Sequence, residues 1–140
     1  MRTDLSKATF IIPIRIESDD RMRNVITSLA FLLENFKTNI IVKEVDSRSI
    51  FQEDVLPILN DICNVPVDLF HIFEKSHEPL FHRQRVLNEM IMEAKTEIVV
   101  NYDCDVILPI ESYVLAYTGI LENIYDVVYP YGSGLYQKKV

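Results

Sequence analysis

Two aspartates, Asp103 and Asp105, stand one residue apart, just past the apolar run Ile98-Val99-Val100. In extended chain alternate side chains point the same way, so the two carboxylates face one side. Two hard oxygen donors so placed suit Mg²⁺ or Mn²⁺ and leave coordination positions open for the oxygens of a diphosphate. A solvated acidic turn is the other reading of the same spacing. As a bare pattern D-x-D is unspecific; its place at the end of an apolar run is what gives it weight.

Other residues with usable chemistry also stand at the ends of apolar runs. Arg15, in Pro13-Ile14-Arg15-Ile16-Glu17, has a guanidinium that can stack on a base or fork onto a phosphate. It can equally pair with Glu17 or Asp19 on the surface. Asp46 ends the next apolar run and can accept from a ring N–H or a ribose hydroxyl, or simply cap a turn. Arg83 and Arg85 open a helix-like stretch, where the helix dipole disfavours cations; a nearby anion would relieve that cost. Two solvated arginines are the alternative. His71, His77 and His82 lack a metal-type spacing, and His71 lies inside a strand-like run, where a structural role is expected.

Composition narrows the classes. The 140 residues are 49% hydrophobic and 25% charged, which fits one soluble domain with a buried core rather than a disordered or fibrous chain. A net charge of −7 argues against nucleic acid as a partner. It also means that a phosphate ligand needs local arginines or a bridging metal. No apolar run approaches a membrane span and no secretory signal opens the chain, so a cytoplasmic protein is expected. Cys63 and Cys104 make no disulfide framework, and Cys63 reads as a small buried hydrophobe. Three glycines cannot build a P-loop or a dinucleotide fingerprint, and no G-x-S-x-G elbow is present.

The elements that must position these residues follow from periodicity. Strands are expected over 8–14, 39–45, 67–73, 97–102 and 126–129, with Pro13 marking the end of the first. Ser18 or Asp19 can cap a helix whose apolar stripe is Met22, Val25, Leu29, Leu32, Leu33 and Phe36. Further helices are expected over 52–63, with Pro57 as a break or kink, over 82–95 and over 109–122. This β-α alternation implies one three-layer α/β domain, a mostly parallel sheet with helices on both faces. Ligands in such sheets bind beyond the carboxyl ends of the strands, where all the candidate residues lie.

Three segments together resemble one family. Ile11-Ile12-Pro13-Ile14-Arg15 resembles the first-strand "I-I-P-x-R" of galactosyltransferase-like GT-A enzymes. Phe81-His82-Arg83-Gln84-Arg85-Val86-Leu87-Asn88 resembles the "F-N-R-x-K-L-L-N" helix start of β-1,4-galactosyltransferases and related polysaccharide-polymerase domains. Tyr102-Asp103-Cys104-Asp105-Val106-Ile107-Leu108-Pro109 resembles their "x-D-V-D-L-I-P". The resemblance runs from about residue 8 to 132 and implies the GT-A, nucleotide-diphospho-sugar transferase type of fold.

It also implies a function, as an expectation. Pro13 and Arg15 would border the nucleotide of a UDP-sugar, Asp46 would meet the uracil and Arg83 the diphosphate. Asp105 would be the direct ligand of Mn²⁺ or Mg²⁺, with Asp103 on the ribose or on the metal through water. Glu17 stands where a second arginine is common, so the phosphate contacts there would be rearranged. Cys104 replaces a small aliphatic residue and should point away from the metal. The reaction implied is transfer of a hexose or N-acetylhexosamine to a hydroxyl of a glycan or glycoconjugate acceptor, in polysaccharide synthesis at the inner face of the cell membrane. No catalytic base is assignable: Glu111 and Glu122 fall on the helix after the metal loop. The chain is accordingly expected to be the N-terminal, donor-binding part of a longer transferase. A nucleotidyltransferase is disfavoured because residues 15–20 lack glycine, and a non-catalytic α/β interaction domain is the remaining alternative.

Overall fold

The computed structural model describes residues 2–124. The chain divides into two compact units, Met1–Val106 and Ile107–Val140. The first contains β1 (Thr3–Ile14), α1 (Asp19–Asn35), β2 (Phe36–Asp46), α2 (Leu56–Ile62), β3 (Phe70–Lys75), α3 (Arg83–Glu93) and β4 (Ile98–Asn101). The described part of the second is the helix α4 (Ile110–Leu121), with Glu111 in its first turn and Glu122 at its C-cap. The strand expected over 126–129 lies outside the described residues.

The fold is α/β, as expected. Four parallel strands lie in the order β3-β2-β1-β4. Alternation along the strands sorts the core into two layers. Ile11, Ile41 and Val45 face α3 and pack with Val86, Leu87 and Met90, with Ile72 and Phe81 against them. On the other face lie α1 and α2; Phe10 stacks with Phe36 and meets Tyr102 edge-on, centroids 5.5 Å apart. Among the described residues no helix is long and apolar enough to cross a membrane.

Several expected boundaries move, each for a physical reason. β1 begins at Thr3, five residues early, because Phe36 leaves the helix stripe and starts β2 directly. Thr3 and Asp4 pair with Phe36 and Lys37, and the register then slips before Thr9↔Asn39. Pro13 does not end β1 but sits inside it, paired with Lys43. The carbonyl of Ile11 faces β4 and accepts from Tyr102 N, so two residues on Pro13 presents the same side. The pairing with β4 has stopped by then, at Ile11↔Asn101, and the missing N–H costs no ladder bond. Pro57 does not break its helix either. One wide π-turn over Phe51–Val55 precedes it and runs straight into α2, which relieves the clash of a proline ring with the preceding turn. Ser18 caps α1 as expected, its Oγ accepting from Arg21 N at 3.1 Å. Cys63 is half-buried at the C-cap of α2 rather than in the core.

Candidate functional site

Consecutive strands step outward from β1 to β2 to β3, and β4 then returns to the other side of β1. A crevice is therefore expected beyond the carboxyl ends of β1 and β4, where the direction of the winding reverses. From β1 it receives Pro13 to Glu17, and from β4 Asn101 to Asp105.

The aspartates sit on a tight turn after β4, closed by Val106 N donating to Asp103 O at 3.2 Å. Asp103 and Asp105 are exposed while Cys104 between them is buried, but they stand on a turn rather than in the extended chain from which a shared side was expected. Three anchors hold the turn. Tyr102 Oη donates to Val106 O, Ser28 Oγ donates to Cys104 O, and Arg21 Nη1 lies 3.7 Å from Cys104 Sγ. Burial pushes the Cys104 thiol up, with Arg21 working against it. The thiol is thus protonated at neutral pH and turned inward.

Arg83 lies in the first turn of α3 and reaches this turn. Its Nη2 is 2.5 Å from Asp103 Oδ1 and 3.3 Å from Asn101 Oδ1. Both partners are open to solvent, the side chains of Arg83 and Asp103 being 42% and 54% exposed. The second arginine goes elsewhere. Arg85 forks onto Glu74 at 3.2 and 3.0 Å and also meets Glu89, which Lys43 holds at 2.7 Å. Of the two arginines at this helix start, only Arg83 points at the acids.

Arg15 is positioned differently from the expectation that it faces a ligand. It is 7% exposed, and its Nε donates to Val45 O at 2.7 Å. Its Nη1 donates to Glu78 O at 2.9 Å and Pro79 O at 3.2 Å. Its guanidinium also lies over the Phe81 ring, 5.6 Å from the centroid. These contacts tie the end of β2 to the segment that leads into α3. Asp46 ends β2 half-buried; its Oδ1 accepts from Ser47 N at 2.7 Å and its carbonyl from Ser76 N at 2.9 Å. Pro13 is buried and Glu17 exposed.

Sequence reasoning missed the residues that do the holding. Tyr102 and Asn101 read as strand residues, although they stand just before the acids. Ser28 was discernible: it interrupts the apolar stripe of α1 beside Val25 and Leu29, and a polar residue there needs a partner. Glu44 is the largest omission. Fully buried, it takes Ile50 N and Phe51 N on Oε2 at 3.0 and 3.1 Å. Oε1 accepts from Ser49 Oγ at 2.6 Å and meets His71 Nε2 at 3.3 Å. His71 thus has the structural role expected of it.

No family model, curated protein or solved structure matches this chain. Its chemistry must be argued from the residues themselves.

Among the described residues no three or more His, Cys, Asp or Glu side chains gather to hold a metal. Two exposed carboxylates do fit a Mg²⁺-like ion that takes most of its shell from water and substrate phosphates. A cavity of about 570 Å³ opens at the opposite, N-terminal edge of the sheet, lined by Thr9, Asn39, Phe70, Lys95 and Thr96 among others. It lies away from the acids, and Thr9 and Thr96 bond each other across it at 2.6 Å.

Proposed function

We propose that this chain binds a UDP-sugar together with Mn²⁺ or Mg²⁺ and forms the donor-binding part of a glycosyltransferase. The sugar, a hexose or N-acetylhexosamine, passes to a hydroxyl of a glycan or glycoconjugate, at the cytoplasmic face of a membrane. One observation carries the reading: Arg83 of α3 pairs with Asp103 on the exposed turn that also carries Asp105, next to the point where the winding of the parallel sheet reverses. Carboxylates for a cation and a guanidinium for phosphate oxygens are the complementary halves of a metal–diphosphate site.

In this reading Asp105 holds the cation directly and Asp103 supports it or the ribose. The bound cation supplies Lewis-acid neutralisation of the diphosphate as it leaves. Arg83 adds fixed positive charge to the same oxygens. Arg15 acts at one remove: its bonds to Val45, Glu78 and Pro79 fix the wall beside Pro13 and Asp46, where the base would lie. Glu17, exposed just past the end of β1, would repel anions that arrive without a cation.

Calorimetric titration with UDP, with and without Mn²⁺, tests the reading beside Asp105→Ala. Binding that needs Mn²⁺ and falls at least tenfold in the variant is expected. Absence of binding at millimolar UDP with Mn²⁺ overturns it, and leaves an interaction domain with a solvated acidic turn.

A further inference from the structure

We propose that the cleft at the N-terminal edge of the sheet, on its α3 face, is a binding site for a small organic polyamine. The proposal is independent of the donor-site reading. The floor of the cleft comes from β1, β2 and β3. Ile11, Ile41 and Ile72 pack on the α3 side, and Thr9, Asn39 and Phe70 each stand two residues before one of them, on the same face. The end of α3 and the segment after it, with Glu93, Lys95 and Thr96, form the wall. The space enclosed is about 570 Å³, within the usual range for a small-molecule site.

The hydrogen bonds decide what kind of ligand fits. Thr96 Oγ1 donates to Ile98 O at 2.9 Å, so in the 2.6 Å contact between the two hydroxyls Thr9 is the donor. Thr38 Oγ1 gives its proton to Leu5 O and Ala8 O, and Asn39 Nδ2 gives its two to Ser6 O and Ala8 O. The neutral side-chain donors of the lining are therefore committed. What remains is acceptors: Asn39 Oδ1 and the exposed carboxylates of Asp68 and Glu93. The C-terminal end of α3 adds the negative pole of its dipole and has no basic residue in its last turn. Among the described residues Lys95 is the one cation of the lining, a single charge against two, on a stem flexible enough to swing into solvent. A fitting ligand must bring both donors and positive charge.

Phe70 chooses among cations. It is 55% exposed on the edge strand β3, where its ring offers a π face to an ammonium group and apolar contact to the methylenes beside it. A hydrated metal ion gains little from such a ring, and among the described residues no three ligating side chains gather. The net charge of −7 favours the approach of a polyamine.

Calorimetric titration of the chain with spermidine tests the site. It is run at low and at physiological salt, because diffuse attraction to an acidic chain is screened. A dissociation constant of about a millimolar or tighter is expected at physiological salt. Asp68→Asn with Glu93→Gln should weaken binding at least about tenfold, and Phe70→Leu about two- to fivefold. Asp54→Asn with Asp61→Asn removes the same two charges from the π-turn and α2, on the other side of the sheet. It should leave the affinity within about twofold. Thermal melting shows that each variant is folded. Equal losses in the two double variants mean diffuse attraction and overturn the site, and so does unchanged affinity in Phe70→Leu. Absence of spermidine binding by the wild type at millimolar concentration overturns it as well, whether or not Mn²⁺ binds there instead.

Discussion

Replacing Glu44 by alanine should destabilise the protein by about 3–5 kcal/mol. The side chain is fully buried, and it accepts Ile50 N, Phe51 N and Ser49 Oγ, with His71 Nε2 beside it. Two of these donors are backbone N–H groups where the π-turn and α2 begin, and such groups have no partner within their own helix. Each buried donor left unsatisfied costs about 1–3 kcal/mol, and bonds to a charged acceptor lie toward the upper end. Water entering the space recovers part of this, so the sum is less than fully additive. Glu44→Gln should cost less, about 2 kcal/mol, because it keeps the volume but brings an NH₂ against groups that donate.

Urea unfolding at constant slope gives these differences directly. Acidification gives an independent check. Burial alone would raise the Glu44 carboxyl, but hydrogen bonds from His71, Ser49 and Phe51 N–H outweigh it and hold the group below the ordinary glutamate range. A carboxyl lowered on folding contributes its stability in full above the unfolded value of about 4.3 and loses it as pH falls through the folded value. Wild type should therefore weaken on acidification below about pH 4.3, and Glu44→Gln should weaken less over that window. A loss under about 1 kcal/mol in Glu44→Ala would refute the reasoning, since the donors would then have found other partners.

Two further substitutions test the frame of the site. Arg15→Lys keeps the charge but cannot reach Val45, Glu78 and Pro79 together, so a loss of about 1–3 kcal/mol is expected in urea; an unchanged midpoint would remove its bridging role. Tyr102→Phe deletes the bond to Val106 O, one of the anchors of the aspartate turn. It should cost about 1 kcal/mol in stability and weaken UDP·Mn²⁺ binding several-fold by calorimetry, whereas unchanged affinity would show that the turn holds without it.

The layered α/β fold was legible because strands and helices impose different periods on apolar residues, and here they alternate cleanly. The edges of elements were not. Phe36 satisfies the helical stripe and the strand equally, and it is the pairing with Thr3 and the stacking on Phe10 that go with the strand. Pro13 looks like a terminator until one knows that β4 ends beside it. In the site, the extended-chain argument for Asp103 and Asp105 did not carry over, because the pair stands on a turn closed by Val106 N and Asp103 O rather than in a strand. Nor could spacing tell Arg83 from Arg85, which share a helix turn and differ only in what the fold brings opposite them: Asp103 for one, Glu74 and Glu89 for the other. The destination of Arg15 was hidden for the same reason, because its partners lie 30 to 64 residues away and are backbone carbonyls, which carry no side-chain signature.

Two helix starts border the crevice, and their contrast bears on where an anion would sit. The first turn of α1 carries Asp19 and Asp20, and its cap is filled by Ser18. An arriving phosphate would meet Asp19, the Asp20 carboxylate that Arg23 pairs, and a backbone N–H already bonded to Ser18, the reverse of an anion-binding helix start. The first turn of α3 has no acidic residue and no side-chain cap, and it carries Arg83. An anion at this end of the sheet would therefore be favoured on the α3 side, beside Arg83 and Asn101. In a chain of net charge −7, that asymmetry matters more than overall attraction.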